Sequence, residues 1–112
     1  MPYLTTGLLD NASVEGVSQS STLSVNISND DTSTVAIQIE GFFLNGTKKV
    51  KYVEEFFTLS AGTVALKNYF VLFNAFEFVF FVSSQAVEIS VLRKDATGNL
   101  TSAHLVIAEA SV

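Results

Sequence analysis

Apolar and polar positions alternate along most of this chain, and the strongest run of that alternation lies at residues 70–82, FVLFNAFEFVFFV. In extended backbone Phe76, Phe78, Phe80 and Val82 share one face, while Glu77, Val79 and Phe81 share the other. The second face is itself largely apolar, which predicts a central strand covered on both sides over part of its length. Six of the ten phenylalanines fall within these thirteen residues. Burying one such side chain contributes roughly 1.5–3 kcal/mol, so this strand is expected to drive core formation.

The same period of two recurs on either side. Leu23, Val25 and Ile27 alternate with Ser24 and Asn26 to predict a half-buried strand. Residues 29–33, Asn-Asp-Asp-Thr-Ser, form a turn, since such side chains bond their own backbone. Val35, Ile37, Ile39 and Phe43 predict a longer strand that ends at Asn45-Gly46, a hairpin signal. On the return strand, residues 48–59, the phase changes: Val50 and Tyr52 share one face, Phe57 and Leu59 the other. This predicts a β-bulge or a sharp bend at Glu54-Glu55.

After a turn at residues 60–62, a strand over 63–73 sets Val64, Leu66, Phe70 and Leu72 in one register and Tyr69, Val71 and Phe73 in the other. Val87, Ile89 and Val91 mark the next strand, residues 94–99 a loop, and residues 100–109 a closing strand with Leu105 and Ile107 inward. The expected core is Phe70, Phe76, Phe78, Phe80, Val82, Ile37, Ile39, Ile89, Val91, Leu105 and Ile107. Seven or eight strands with turn signals every 8–12 residues or so predict an all-β, single-domain antiparallel β-sandwich, jelly-roll or Ig-like. The sandwich is expected over residues 22–112, with residues 1–21 set apart as an N-terminal arm.

Composition sharpens this picture. Of the 112 residues 48% are hydrophobic and 15% charged, against about 25% charged in an average domain. A chain with few charges and a single proline, Pro2, has little with which to blunt its sheet edges. The net charge of −5 argues against nucleic acid or an anionic membrane as partner. No apolar run approaches the roughly 20 residues of a membrane helix, so no membrane insertion is expected. The chain as given opens without a basic n-region or an apolar h-region, so no classical secretory signal is expected in it.

Chemistry is hard to find in this chain. His104 is the lone histidine, set in a strand without an elbow motif around any serine. The pairs Asp30-Asp31 and Glu54-Glu55 are adjacent, and adjacent strand residues point to opposite faces rather than across a cleft. Lys48, Lys49 and Lys51 form the one basic cluster, beside Tyr52, but nearby Glu54 and Glu55 predict charge pairing instead of nucleic-acid binding. Asn11, Asn26, Asn45 and Asn99 stand in Asn-X-Ser/Thr sequons, which arise easily by chance in a chain rich in Ser and Thr. The chain is therefore expected to be no enzyme, with no cofactor and no metal site.

The run Thr6-Gly7-Leu8-Leu9, followed by GFFLNGTKKVKYVEEFFTLSAGTV, FNAFEFVF and VEISVLRKDATGNL, resembles small single-domain β-proteins of spore-forming, Bacillus-like bacteria. Among these the endospore appendage subunits are the nearest group of understood function. The resemblance implies a jelly-roll subunit of an extracellular fibre or spore- or cell-surface appendage that polymerises by β-strand augmentation. It implies self-association, with other surface proteins as further partners, and an arm that docks on the next subunit. On that arm Leu4, Leu8, Leu9, Val14 and Val17 are the expected assembly residues. Appendage subunits of the best-known type carry N-terminal cysteines that crosslink neighbours, whereas this chain has no cysteine. The alternative from another class is a β-sandwich binding module for carbohydrate or a protein partner, with Tyr52 and Tyr69 as stacking residues. Tyrosines exposed along a groove favour binding, and buried ones favour assembly.

Overall fold

The structure, a computed structural model, describes residues 3–12, 19–105 and 107–108, with side chains described as far as Leu100. Ten strands run through these residues: β1 (Tyr3–Thr5), β2 (Leu9–Asp10), β3 (Thr22–Asn29), β4 (Val35–Asn45), β5 (Lys48–Leu59), β6 (Val64–Phe70), β7 (Ala75–Val82), β8 (Val87–Lys94), β9 (Leu100–Leu105) and β10 (Ile107–Ala108). They form two sheets. One follows the order β10-β1-β7-β4-β5, with β2 also paired to β7, and the other the order β6-β3-β8-β9. Every pairing is antiparallel. The fold is an antiparallel β-sandwich.

The Phe-rich strand β7 lies at the centre of the first sheet, between β4 on one side and β1 and β2 on the other. Phe76, Phe78 and Phe80 are fully buried, with Val82 beside them, and they meet Ile37 and Ile39 of β4 across the ladder. Leu23, Val25 and Ile27 of β3 and Ile89 and Val91 of β8 supply the facing layer of the same core. Even the outward side of β7 is covered in part, since Glu77 and Val79 are buried. Aromatic and acidic residues on one strand can both be buried here because the neighbouring strands supply partners. Tyr3 lies against Phe81 with ring centroids 5.0 Å apart, and Lys49 and Thr5 bond Glu77.

Four expectations from the sequence need correction. The bulge lies at Tyr52 rather than at Glu54-Glu55: Gly41 pairs with Val53 and Phe42 with Lys51, leaving Tyr52 as the extra residue. Gly41, the last residue in register before the shift, has room only for a hydrogen, with Phe78 and Val53 against it. The hairpin loop is Gly46-Thr47, one residue on from Asn45-Gly46, since Asn45 pairs with Lys48. Gly46 takes φ 65° and, among the described residues, no non-glycine residue has positive φ, which suits a type II′ turn with glycine first and not a type I′ turn.

The third correction is Phe70. It is 60% exposed, not core, because β6 is an edge strand whose Tyr69 points inward and whose even-numbered residues face outward. Finally, the single closing strand divides: β9 pairs with β8 in one sheet and β10 with β1 in the other.

Residues 3–12, part of the expected arm, complete the first sheet of their own chain. β1 pairs with Val79 to Phe81 and β2 with Ala75 and Phe76 of the same strand β7. Thr6 bonds across to Phe78 between them, N–H to carbonyl at 3.0 Å and hydroxyl from the Phe78 N–H at 3.1 Å.

Candidate assembly surface

Strands β5 and β6 are consecutive in the chain and form the outer strands of opposite sheets on the same side of the sandwich. Among the described residues each has one partner strand, β4 for β5 and β3 for β6. Their two edges are clasped by one carboxylate. Glu55 of β5 accepts a hydrogen bond from the Tyr69 hydroxyl at 2.7 Å and one from Lys67 Nζ at 3.2 Å, both on β6. The Tyr69 hydroxyl holds the Glu55 carboxyl below its usual range against a smaller upward push from burial. Burial and the Glu55 charge in turn push the Tyr69 phenol far above its ordinary value. Lys67 also lies over the Phe57 ring at 4.7 Å, so the only charge of β6 is drawn inward.

What remains outside on β6 is uncharged and, apart from Asn68, apolar. Val64 is 57% exposed, Leu66 71% and Phe70 60%, with Leu72 just beyond the strand. The alternation that buries Tyr69 places these side chains in a row on the solvent face of an edge strand. Strand β5 differs. Its exposed residues include Phe56 but also Lys48, Lys49, Lys51 and Glu54, which are the charges natural edges carry against unwanted pairing. Lys51 bonds Glu40 at 2.7 Å and Glu54 at 2.8 Å, and Lys49 bonds Glu77 at 2.6 Å. Two of the three lysines in the basic cluster are thus tied to carboxylates.

A box of rings braces the end of β6. Phe43 and Phe73 stack at 4.5 Å, and Tyr52 stands edge-on to both. The Tyr52 hydroxyl donates to the Phe70 carbonyl, and burial pushes its phenol up to about 12. Of the tyrosines considered for ligand stacking, Tyr69 is buried, and Tyr52 is half-buried with its ring against Phe43, Phe73 and Phe78.

Three of the five expected assembly residues lie among the described residues, and they differ in exposure. Leu4 is buried in the core, Leu9 is half-buried against it, and Leu8 is 53% exposed. Val14 and Val17 lie outside the described residues, as do the side chains of His104, Leu105 and Ile107. Leu8 borders an open groove of about 610 Å³ with Asp10, Gln19, Leu44 and Asn74. Among the described residues no group of three or more His, Cys, Asp or Glu stands where it could hold a metal ion.

Two buried asparagines hold the loops at the ends of the sandwich; the sequence marks Asn29 as a turn residue but gives no sign of its bond to the distant Leu59 carbonyl, and it gives none of the role of Asn11. Asn29 Nδ2 donates to the carbonyls of Ser33 and Leu59, both at 2.9 Å, while its Oδ1 accepts from the Asp31 N–H. Asn11 Nδ2 lies within 3.0 Å of the carbonyls of Ser20, Val71 and Phe73, and its Oδ1 accepts from Arg93 Nη2 and the Ser20 N–H. This sequon asparagine is committed to the fold.

No family model matches the chain, and no curated protein matches it. Among solved structures the chain is similar to the crystal structure of Thermotoga maritima 1070, with a TM-score of 0.65 and 16% identity, covering 96% of this chain and 94% of that one. At that identity the likeness shows the fold alone.

Proposed function

We propose that this chain is a non-enzymatic structural subunit that self-assembles by adding strands at its sheet edges, as part of an extracellular fibre or a spore- or cell-surface appendage. The observation that carries the reading is the bare edge of β6, where Val64, Leu66 and Phe70 stand exposed with no charge beside them on that face. An edge strand offers a row of unpaired backbone donors and acceptors, and a second strand satisfies them while covering the apolar row. The buried and engaged tyrosines support the same reading over ligand stacking. Residues 3–12 are paired with their own β7, so strand addition at the edges is the part of the mechanism the geometry favours.

Negative-stain electron microscopy of the purified full chain at neutral pH, with light scattering across a concentration series, tests this. Regular filaments or a mass that grows with concentration is the expected result. Dispersed monomers at all concentrations overturn it.

A further inference from the structure

The strand order indicates which edge of a second copy β6 meets. In the sheet β6-β3-β8-β9 each strand runs antiparallel to the next, so its two outer strands, β6 and β9, run in opposite directions. A second copy set beside the first in the same orientation therefore brings its β6 antiparallel to the first copy's β9. The other sheet behaves differently. Along β10-β1-β7-β4-β5 the outer strands β10 and β5 run the same way, so the same displacement brings them together parallel. Parallel pairs are the weaker ones per residue.

Resting on the function proposed above, we infer that the subunits join head to tail, β6 of one copy pairing with β9 of the next. One antiparallel sheet then runs unbroken through the fibre. Among the described residues β9 has β8 as its one partner, leaving its other side to receive a strand.

Charge selects the same partner. The β9 sequence LTSAHL contains no Asp, Glu, Lys or Arg, and His104 is its one titratable residue. The single charge of β6, Lys67, is already paired with Glu55 of its own chain. A β6–β9 junction therefore strips water from no unpaired carboxylate or ammonium. Pairing β6 with its own copy about the strand centre sets Lys67 against Lys67, and like charges directly opposite are destabilising. The translated arrangement is also open-ended, as a fibre requires, whereas a two-fold β6 pair closes at the dimer.

The absence of cysteine makes the junction directly readable. Leu66→Cys, at a 71% exposed site, is mixed in turn with Thr101→Cys, Ser102→Cys or Ala103→Cys of β9, and oxidised while assembling. Disulfide-linked pairs in at least one mixture, absent from Leu66→Cys alone, are expected. Crosslinking of Leu66→Cys to itself overturns the inference in favour of two-fold pairing, as do filaments that crosslink in no mixture. In parallel, Leu66→Lys is expected to abolish filaments while leaving the melting temperature unchanged, and Phe56→Lys on β5 to leave them intact. Filaments of Leu66→Lys equal to those of the unmodified chain overturn the edge assignment alone. If the unmodified chain never assembles, the proposed function itself fails and the junction falls with it.

Discussion

Gly41 and Phe78 face each other across the β4–β7 ladder, and a methyl group on Gly41 would stand 2.7 Å from Cε2 of the Phe78 ring and 2.9 Å from Val53 Cβ. Phe78 is fully buried and packed against Tyr52, Tyr69 and Phe76, so its ring has nowhere to retreat. The glycine is required for close approach rather than for an unusual backbone angle, since Gly41 is not among the positive-φ residues. Gly41→Ala is expected to destabilise the fold by about 1–3 kcal/mol, the usual cost of overpacking a filled core. Urea denaturation measures it. A loss well under 1 kcal/mol would show that the ring gives way.

Asn29 joins turns that are far apart in sequence. Besides its three side-chain bonds, its backbone carbonyl accepts from the Gly62 N–H and its N–H donates to the Thr63 carbonyl, both at 2.9 Å. Asn29→Ala leaves the carbonyls of Ser33 and Leu59 and the N–H of Asp31 without this partner. The Leu59 carbonyl is the buried one of these, and a buried group so orphaned costs about 1–3 kcal/mol, so a loss of that size is expected. Asn29→Asp keeps the acceptor but sets a carboxylate against two carbonyls, and is expected to be worse than alanine at neutral pH. Denaturation curves of the pair, in order wild type, alanine, aspartate, check the ranking. The reverse order would mean that the loops rearrange around the site.

How far these features were legible in the sequence depended on whether the governing contacts are local. The period-two pattern of residues 76–82 identifies the inward face of β7, because alternation follows from the pleat itself. The same pattern on β6 is ambiguous: Phe70 and Tyr69 both read as plausible inward residues, and only the pairing with β3, which sets Tyr69 beside buried Leu23, decides between them. The phase change on β5 is visible in the sequence, but its location at Tyr52 shows only in the pairing with β4. Residues 100–108 alternate without a turn signal, yet the chain passes from one sheet to the other there. The edge clasp of Glu55, Lys67 and Tyr69 left no sequence signal, because its partners meet only once both sheets have formed.

Acid is expected to weaken the fold through Glu77. Burial pushes this carboxyl up, but the hydrogen bonds from Lys49 and Thr5, with the Lys49 charge, outweigh it and hold the group below its usual 4.5. A carboxylate whose folded value is depressed contributes stability above the unfolded value, and that contribution is lost as pH falls through the folded one. The urea midpoint should therefore fall as pH drops below about 4.5. Glu77→Gln should flatten the fall in part, since Asp31, Glu55 and Asp95 are also held low. An unchanged slope in Glu77→Gln would show that its bonds to β1 and β5 do not discriminate between the two protonation states.

The phenols predict the opposite limit, at alkaline pH. Burial pushes Tyr52 up to about 12, and burial together with the Glu55 carboxylate pushes Tyr69 further still. Groups whose folded values are raised stabilise the fold below the unfolded value, close to 10, and lose that contribution as pH rises towards the folded ones. Ultraviolet titration should accordingly show Tyr52 and Tyr69 ionising late, in step with loss of β-sheet circular dichroism. Tyr69→Phe removes the hydroxyl that Glu55 accepts from while leaving Lys67 in place, and is expected to cost about 1 kcal/mol at neutral pH. The variant should also bring the Glu55 carboxyl back towards its usual range, since the lost hydroxyl is the largest influence holding it down. Carbon-detected NMR of the Glu55 carboxyl reads that shift directly. A Glu55 titration identical in the two proteins would show that the clasp between β5 and β6 rests on Lys67 alone.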